Sequence, residues 1–498
     1  MDSIIITIVI SLLFALTLLQ TIFFSSRKNK KNLPPGPTPF PIIGNLHQVG
    51  SQPHKSFTKL GKIYGPIIRL ELGRVTTIVI SSPSIAKEIL QKQDPIFSAV
   101  RGVPDAMHAS NHFKYSAVWI PANSHWRSLR KILATNIFSN SRLEANQHLR
   151  FKKVQELIAF CGKSCENGSS IKIGEAVFRT SLNLLSNTIF STDFADYYST
   201  KATEFKDAVW NIVLNTTKPN MVDFFPILRK IDPQGIRRRC SGEFKKVLKI
   251  MDGLISERLE QRKANGRRSE DVLDEFLNYI EDHPGEIDFY HMKHTILDLF
   301  IAGTDTTSSS TEWGMAELMR HPDIMKKAKC ELEDVIGKGK TITENDVARL
   351  PYLRCIVKEI LRIHPGGPFL VPRKPTEDVV VHGYTIPKDS NVLISTWALG
   401  RDPSLWQNPL EFRPERFENS EVDVRGHNFE LIPFGAGRRI CPGMPLALKM
   451  IPLMLGSLIN TFNWTMAPGM IPEDINMEEE VGLTIQMAHS PLLVPLPL

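Results

Sequence analysis

Hydrophobic positions recur along most of this chain at helical spacing. Apolar side chains are separated by three or four residues over long stretches, which places them on one face of a helix. Such stretches lie at residues 143–165, 201–215, 240–264 and 288–320. Runs typical of β-strands are short, as at residues 76–81 and 379–381. The pattern predicts a mainly α-helical protein with a small β region.

The first 25 residues are almost continuously apolar instead. Residues 3–24 carry no charge, and as a helix they would span about 33 Å, enough to cross a bilayer. A cleaved signal peptide needs basic residues before the apolar run, but here Asp2 precedes it and a basic cluster at 27–31 follows. We predict a single-pass anchor at residues 1–25, with the rest of the chain in the cytoplasm.

Beyond the anchor, the chain is predicted to hold one large domain. Residues 26–45 are basic and proline-rich, and prolines at 34, 35 and 37 favour a stiff, non-helical hinge. Although 498 residues would ordinarily suggest two domains, no linker, repeat or change in composition divides residues 46–498. We therefore assign that range to one catalytic domain.

Charge and cysteine content exclude several classes of function. The net charge of +7 is moderate for this length, and the Lys and Arg residues are scattered, which argues against nucleic acid as a partner. The six cysteines form neither a secreted disulfide framework nor paired zinc-binding motifs.

A glycine-rich segment near the C-terminus surrounds one cysteine. Residues 434–443 read Phe-Gly-Ala-Gly-Arg-Arg-Ile-Cys-Pro-Gly. Gly435, Gly437 and Gly443 would permit positive φ angles and close approach of the backbone to a flat cofactor. Cys441 is then a candidate thiolate ligand for a haem iron. A structural turn is the alternative if this segment is considered alone.

The residues beside this cysteine fit the same interpretation. Pro442 suits the first residue of a helix, and the positive end of that helix would favour an ionised Cys441. Arg439 offers a fixed charge to a carboxylate such as a haem propionate. Trp126 and Arg130 are four residues apart, so on a helix both can reach one propionate, unless they belong to a surface helix. Arg373 is a further candidate on a strand.

A polar cluster lies within the apolar run at 288–320. Ala302, Gly303, Asp305 and Thr306 are predicted to interrupt a long helix rather than end it, because small side chains and hydroxyls loosen the hydrogen-bond ladder. The resulting groove could admit O₂ and water. A solvated face rich in Ser and Thr is the alternative.

A third motif has little weight by itself. Glu359 and Arg362 are three residues apart and can pair on one helix face, although this spacing is common by chance. Arg416 lies some 50 residues further on, just before the cysteine segment.

Together these motifs resemble the haem-thiolate monooxygenases, the cytochromes P-450. Phe-x-x-Gly-x-Arg-x-Cys-x-Gly is their haem-ligand signature, and the resemblance covers nearly the whole chain. It implies the triangular, mainly helical fold of that family and a bound haem b. It implies that the iron ligand is Cys441 and that the residues around the haem are Trp126, Arg130, Arg373, Phe434, Gly435 and Arg439.

The resemblance also assigns roles to the other motifs. Thr306 corresponds to the alcohol that hydrogen-bonds bound oxygen, and Asp305 to the acid that relays protons to it. Glu359, Arg362 and Arg416 correspond to a buried ionic network on the haem side. The chain has no flavin or nicotinamide fingerprint of its own, so electrons are expected from NADPH through a membrane-bound cytochrome P-450 reductase. The expected location is the endoplasmic-reticulum membrane.

The substrate is predicted less sharply. The wider wording is similar to the plant geraniol-hydroxylase-related group, whose members oxidise mono- and diterpenoids, while some relatives hydroxylate tyrosine or other aromatics. The resemblance implies these pocket residues: His108, Asn111, Phe300, Ala302, Phe369, Val371 and Leu483. His108, Asn111 and His112 could hydrogen-bond a substrate oxygen. Gly366–Gly367 departs from the usual Pro-Pro, and a haem-thiolate isomerase or dehydratase is a further alternative.

Overall fold

Helices dominate the computed structural model, which describes residues 7, 11, 32–194, 200–266, 271–482 and 484–498. The α-helices are α1 (Pro53–Tyr64), α2 (Pro83–Lys87), α3 (Asp94–Ser98), α4 (Ser124–Ile132), α5 (Asn140–Ala145), α6 (Gln147–Glu166), α7 (Ile173–Phe190), α8 (Thr200–Thr217), α9 (Met221–Phe224), α10 (Ile236–Asn265), α11 (Val272–Asp282), α12 (Phe289–Arg320), α13 (Pro322–Val335), α14 (Glu344–Val347), α15 (Pro351–Ile363), α16 (Thr396–Leu399) and α17 (Met444–Thr461). Short 3₁₀ segments are Leu46–Gln48, Asp105–Lys114, Pro226–Lys230, Pro414–Phe417, Gly437–Arg439 and Pro472–Asp474, and π segments are Glu88–Lys92 and Leu133–Ile137.

The strands are short and form small sheets. They are β1 (Ile67–Leu72), β2 (Val75–Ile80), β3 (Val100–Arg101), β4 (Ile171–Lys172), β5 (Arg373–Lys374), β6 (Val379–Val381), β7 (Tyr384–Ile386), β8 (Asn391–Ile394), β9 (Asn463–Met466), β10 (Glu479–Val481), β11 (Ile485–Met487) and β12 (Leu492–Leu496). The largest sheet has the order β1-β2-β8-β5-β3, and a second has the order β4-β12-β9. β6 pairs with β7 and β10 with β11. Residues Arg101 and Arg373 are register partners between β3 and β5.

The central helix, α12, organises the core. It begins after Asp288, whose carboxylate accepts the His291 N–H at 2.9 Å, and it ends just before Pro322. Most of its residues are buried against α7, α15 and α17. Gly314 permits this close packing, since a Cβ there would lie 2.7 Å from the side chain of Ile360.

The predicted interruption of this helix is wrong. Helix α12 is continuous through the polar cluster. Several of its hydroxyls donate to carbonyl oxygens one turn back, as Ser308 does to Thr304 at 2.9 Å and Thr311 to Thr307 at 3.0 Å. These bonds are made within the helix, so the backbone ladder need not open.

The other predicted helices are confirmed with small changes in their ends. The stretch at 143–165 is divided at Asn146 into α5 and α6, while 201–215 and 240–264 correspond to α8 and α10. The strand predictions at 76–81 and 379–381 correspond to β2 and β6. The protein is therefore mainly α with a small β region.

One described helix, α17, is apolar and long enough by composition to cross a membrane. Of its residues, 61% are buried within the protein, where the helix packs on the central helix and on α6, α13 and α15. Packing against these neighbours accounts for its apolar character. The anchor predicted at residues 1–25 and the first part of the hinge lie outside the described residues, apart from positions 7 and 11.

Candidate active site

The cysteine loop, residues 434–443, is shaped by two glycines with positive φ. Gly435 and Gly437 have φ of 73° and 72°. A Cβ at Gly437 would overlap the carbonyl oxygen of Leu90, so this position requires glycine for space as well as for conformation. The Cys441 N–H closes the loop by donating to the Phe434 carbonyl at 3.0 Å. The third predicted glycine differs: Gly443 has φ of −79°.

The helix after the cysteine begins later than predicted. Helix α17 starts at Met444 rather than at Pro442, and Gly443 is its N-cap. The N–H groups of Gly443 and Met444 donate to the Cys441 sulfur. Burial raises the pKa of this thiol above its ordinary value, and these donors and the nearby Arg130 act in the opposite direction. The loop thus supplies a sulfur with donors arranged for a thiolate.

Helix α4 brings Trp126 and Arg130 to this loop. Arg130 donates to the carbonyl of Ile440, next to the cysteine, at 2.9 Å. The Arg439 guanidinium carbon lies 4.8 Å from the Trp126 ring centre, and that of Arg130 lies 6.0 Å away. The indole therefore lies close to two of the predicted cationic residues.

Arg439 also ties the cysteine loop to the segment before α4. Its guanidinium donates to the carbonyls of Ser98 at 2.7 Å, Val118 at 3.3 Å and Ile120 at 2.8 Å. Burial and then repulsion from Arg373 lower the pKa of Arg439 to about 10. This arginine is held by backbone dipoles and lacks a carboxylate among these contacts.

Arg373 is buried at the other side of the same cluster. It pairs with Asp94 at 3.0 Å, and Asp94 also accepts from Arg438 at 2.6 Å. Burial lowers the pKa of Arg373, although Asp94 acts against this. Asp94 is the described carboxylate that pairs with these arginines.

Sequence reasoning missed Arg101. This side chain is 8% exposed, donates to the Val371 carbonyl at 2.9 Å and is paired in register with Arg373. Burial, followed by repulsion from Arg373 and Arg439, lowers its pKa well below the ordinary value. No local motif marks Arg101, because only the pairing of β3 with β5 brings it to the cluster.

This cluster fits the carboxylates of a haem. Its cationic members are Arg101, Arg130, Arg373, Arg438 and Arg439, and they outnumber the single described acid, Asp94. The Nε atoms of Arg101 and Arg373 are buried without a hydrogen-bond partner among the described residues. Buried positive charge of this kind requires an anionic partner, and two propionates meet that requirement.

The central helix presents an accessible surface at the predicted oxygen motif. Ala302 is exposed and Thr306 half-buried, although the helix is buried on both sides of them. The Thr306 hydroxyl donates to the Ala302 carbonyl at 2.7 Å. Gly366 adjoins Thr306, with 3.7 Å from an added Cβ to the threonine side chain. Ala302, Thr306 and Gly366 thus form an accessible surface on this side of the helix, which we call the cleft.

Asp305 lies on a different face of the helix from Thr306. Its buried carboxyl group accepts short hydrogen bonds from Thr484 and Gln486 beside β11. Burial raises the pKa of Asp305, and those two donors oppose the shift. The structure therefore does not bring the Asp305 and Thr306 side chains into contact.

Glu359, Arg362 and Arg416 are brought together. Arg362 donates from two nitrogens to the Glu359 carboxylate, each at 2.7 Å, and Arg416 donates to it at 2.9 Å. Glu359 and Arg362 are fully buried. Arg362 also donates to the carbonyls of Pro409 at 2.8 Å and Glu411 at 3.1 Å, which fixes the chain that leads to the cysteine loop.

The predicted pocket residues fall into separate environments. Phe300 is fully buried in an aromatic cluster, 4.8 Å between ring centres from Phe205, so it belongs to the core instead of the cleft. Phe369 and Val371 are half-buried. Leu483 lies outside the described residues.

The polar pocket candidates differ as well. Asn111 is exposed with φ of 57°, whereas His108 is half-buried beside Phe113. Burial and the charge of Arg229 lower the pKa of His108 to about 4. His112 is the clear correction: it is 1% exposed and turned toward Asp298 and His294, so it does not offer a hydrogen bond to substrate.

The sequence model described as Cytochrome P-450 matches residues 34–491. The chain belongs to the cytochrome P-450 family. It is a haem-binding P-450 monooxygenase with the mainly helical P-450 fold.

Its relatives include several named plant enzymes. Geranylhydroquinone 3''-hydroxylase of Arnebia euchroma is 61% identical over 478 residues, 96% of each chain. Geraniol 8-hydroxylase of Catharanthus roseus is 59% identical and covers 98% of this P-450 and 99% of its own length. 7-ethoxycoumarin O-deethylase of Helianthus tuberosus is 54% identical, with 94% and 95% covered.

Proposed function

We propose that this P-450 hydroxylates a terpenoid, a mono- or diterpene or a molecule with a terpenoid chain. The observation that carries this proposal is its similarity, at 59–61% identity over nearly full length, to hydroxylases named for geraniol and geranylhydroquinone. Phe369 and Val371, which the family resemblance assigns to the pocket, are half-buried apolar residues of the kind that suits an apolar substrate.

The haem would be held by residues from several parts of the chain. Cys441 is proposed as the iron ligand, with Phe434 and Gly435 beside the ring. The propionates would pair with Arg101, Arg130, Arg373 and Arg439, and with the Trp126 indole N–H. When bound, the haem supplies the activation of O₂, so that one oxygen atom enters a C–H bond and the other leaves as water with two electrons and two protons.

Thr306 and Asp305 are proposed to manage the protons. The Thr306 hydroxyl adjoins the cleft and, by turning from the Ala302 carbonyl, can donate its proton into it. Asp305 has a raised pKa and can store a proton, but its carboxyl group is bonded to Thr484 and Gln486. Delivery from Asp305 to Thr306 therefore requires this side chain to rotate, or a water to bridge the two.

Electrons are proposed to come from NADPH through a membrane-bound reductase. Arg438 in the cysteine loop and Lys449 in α17 are candidates to attract the acidic surface of this reductase. Both have intramolecular partners, Asp94 at 2.6 Å and Glu344 at 3.0 Å. The exposed Arg127, on the helix that carries Arg130, is a freer basic group for such docking.

A location at the endoplasmic-reticulum membrane is part of the proposal, with residues 1–25 as anchor and 26–45 as hinge. Large apolar side chains are exposed at Phe40, Ile42, Ile43, Met221, Ile227 and Ile231. These side chains belong to two segments, 40–43 and 221–231, which both contact the turn between β1 and β2. In that turn the Gly73 N–H donates to the Ile43 carbonyl at 3.1 Å, and the Arg74 N–H donates to the Phe224 carbonyl at 2.9 Å. An apolar surface beside the hinge is suited to contact with lipid.

Oxidation of an aromatic metabolite is the second candidate. The relative named 7-ethoxycoumarin O-deethylase acts on an aromatic ether, and tyrosine was the aromatic substrate considered from sequence. A haem-thiolate isomerase or dehydratase would need neither NADPH nor a reductase. The monooxygenase assignment of the family argues against it.

One experiment separates these candidates. The full chain in microsomes, with NADPH and a plant P-450 reductase, is given geraniol, a diterpene, 7-ethoxycoumarin and tyrosine in separate reactions, and the products are analysed by mass spectrometry. We expect a terpenoid product that is 16 mass units heavier and that requires NADPH. Turnover of tyrosine alone would overturn the terpenoid proposal, and conversion without NADPH would favour an isomerase or dehydratase.

A further inference from the structure

Asp94 is a buried carboxylate among the arginines that surround the cysteine loop. It is the first residue of α3, and it is 4% exposed. It belongs to none of the sequence motifs. Its two oxygens accept from two different elements: Arg373 of β5 donates to one at 3.0 Å, and Arg438 of the cysteine loop donates to the other at 2.6 Å. One acid thus joins α3, the largest sheet and the loop.

Each of these two arginines has a further bond that fixes its direction. Arg438 also donates to the Ser98 hydroxyl at 2.7 Å, one turn along α3 from Asp94. Arg373 also donates to a carbonyl within the loop, at 3.4 Å. The loop lies close against the acid, because a Cβ added to Gly437 would be 2.9 Å from the Asp94 carboxylate. Asp94 is therefore placed to hold both guanidinium groups beside the loop.

The charge of Asp94 reaches beyond the two arginines that it bonds. Burial lowers the pKa of Arg101, Arg373 and Arg439, and repulsion from other arginines lowers it further. The charge of Asp94 opposes the shift at all three. Among the described residues, Asp94 is the acid that pairs with this cluster. The cluster therefore has an excess of positive charge, and Asp94 offsets part of it.

We propose that Asp94 is a positioning residue with two effects on the haem site. It holds Arg373 and Arg438 beside the cysteine loop, and its negative charge lowers the reduction potential of the bound haem. The second effect follows because reduction adds one negative charge to the haem, which a nearby carboxylate disfavours and a nearby guanidinium favours. Asp94 acts through the arginines and through its charge, so it is not a catalytic residue.

The consequence for the reaction concerns the electron supply. A lower potential favours the ferric protein, so the charge of Asp94 makes the first electron from the proposed reductase harder to accept. The inference rests on the proposed placement of the haem propionates among these arginines, and it is independent of the substrate.

The test compares charge changes of opposite sign at one site. Asp94→Asn keeps the size of the side chain and removes its negative charge, whereas Arg438→Gln removes a positive charge from its more exposed partner. A purely structural role would loosen the loop in both variants and would shift the potential in the same direction. Asp271→Asn is the matched control, because Asp271 is also buried and pairs with an arginine, Arg258 of α10, at 2.7 Å.

The measurement is a reductive titration of each full-length holoprotein without substrate, in the presence of a redox dye of known potential. We expect Asp94→Asn to shift the equilibrium about tenfold toward the ferrous form, which is about 59 mV for a one-electron couple. Arg438→Gln should shift it several-fold toward the ferric form, a smaller effect because its charge is partly screened by solvent. Asp271→Asn should be less stable to denaturant but keep the wild-type potential.

Two results would overturn the inference. One is a potential in Asp94→Asn that equals that of wild type. The other is a shift of the same sign in Asp94→Asn and Arg438→Gln, which would assign the effect to a loosened loop. If Asp94→Asn binds no haem, Arg438→Gln decides: a shift toward the ferric form supports the inference, and an unchanged potential overturns it.

Arg101→Gln tests the placement of the propionates separately, because Arg101 donates to the Val371 carbonyl and not to Asp94. We expect this variant to lose haem to apomyoglobin about tenfold faster than wild type, since a propionate loses a partner. Haem loss at the wild-type rate would contradict that placement, and the titration of Asp94→Asn still decides whether the charge of Asp94 acts on the haem. Faster loss from Arg101→Gln with an unchanged potential in Asp94→Asn would overturn the role of Asp94 alone.

Discussion

The cysteine loop and the segment 105–120 are held in different ways. In the cysteine loop, glycine conformations and a buried arginine that donates to three backbone carbonyls fix each turn. The segment 105–120 contains Ser110 and Asn111 with positive φ, and it is held by side chains that belong to a distant helix. The turns of the loop are thus set by glycines within it, and Arg439 then ties the loop to carbonyls far along the chain, whereas the segment is held by side chains of a distant helix. This difference teaches that a sequence motif can predict the turns of the loop but not the contacts that hold the segment.

The largest effect should come from the buried network that supports the cysteine loop. Arg362→Leu should lower the free energy of unfolding by about 3–5 kcal/mol, because it leaves the Glu359 carboxylate buried with one fewer partner. Arg349→Leu is the control, since Arg349 pairs with Asp346 at the surface and should cost less than about 1 kcal/mol. Denaturant titration of both variants checks this. Equal losses would mean that burial of the network contributes no stability.

The next effect is pH-dependent and arises on the central helix. Burial raises the pKa of Glu312 to about 7, and Ser490 donates a short hydrogen bond to it. Between the unfolded and folded pKa values the folded state binds the extra proton, so wild-type stability falls as pH rises through about 7. Glu312→Gln should remove up to about 3 kcal/mol of this loss.

Denaturant titrations at about pH 5 and about pH 8 measure the free energy of unfolding of wild type and Glu312→Gln. The stability gained by Glu312→Gln over wild type should be larger at the higher pH. Glu333→Gln, at an exposed position on α13, is the control and should show no such trend. A gain that is independent of pH would contradict the assigned titration.

The third effect concerns coupling of electrons to product. Thr306→Ala should keep haem and substrate binding but lower product per NADPH about tenfold and release peroxide, since the proton donor beside the cleft is lost. Thr311→Ala is the control, because it removes a similar hydrogen bond inside the core, from the Thr311 hydroxyl to the Thr307 carbonyl. Its yield of product per NADPH should stay at the wild-type level. The assays measure peroxide released and product formed per NADPH consumed. A Thr306→Ala protein that forms as much product per NADPH as wild type would refute the role of Thr306 as proton donor.

The smallest effect should be at Asn111, in the segment 105–120. Its φ of 57° strains alanine but not glycine, so Asn111→Ala changes both side chain and backbone, and Asn111→Gly only the side chain. If the amide contacts substrate, both variants should change the regioisomer ratio by about the few-fold that one hydrogen bond provides, more than they change rate. A change in Asn111→Ala alone would assign the effect to the backbone, and product analysis distinguishes the two.

The same contrast explains what could be predicted from sequence. The long helices follow from periodicity, and the motif residues lie where local spacing predicted contacts, as for Glu359 with Arg362. Arg101 and the contacts of Asp298 were missed because they depend on partners far along the chain: Arg101 pairs in register with Arg373, and the Asp298 carboxylate accepts from Ser116. His112 was misjudged for the same reason. Helix α17 begins two residues late because Gly443, and not Cys441, caps it.

The most direct test of the central claim is the carbonyl spectrum of the reduced protein. The wild type should show the red-shifted band of a thiolate-ligated haem, and Cys441→Ser should lose it, because oxygen ligands cannot supply the same electron donation. Cys355→Ser, which replaces a cysteine buried elsewhere in the core, should keep the band. A Cys441→Ser protein that retains the thiolate band would contradict the assignment of Cys441 as the iron ligand.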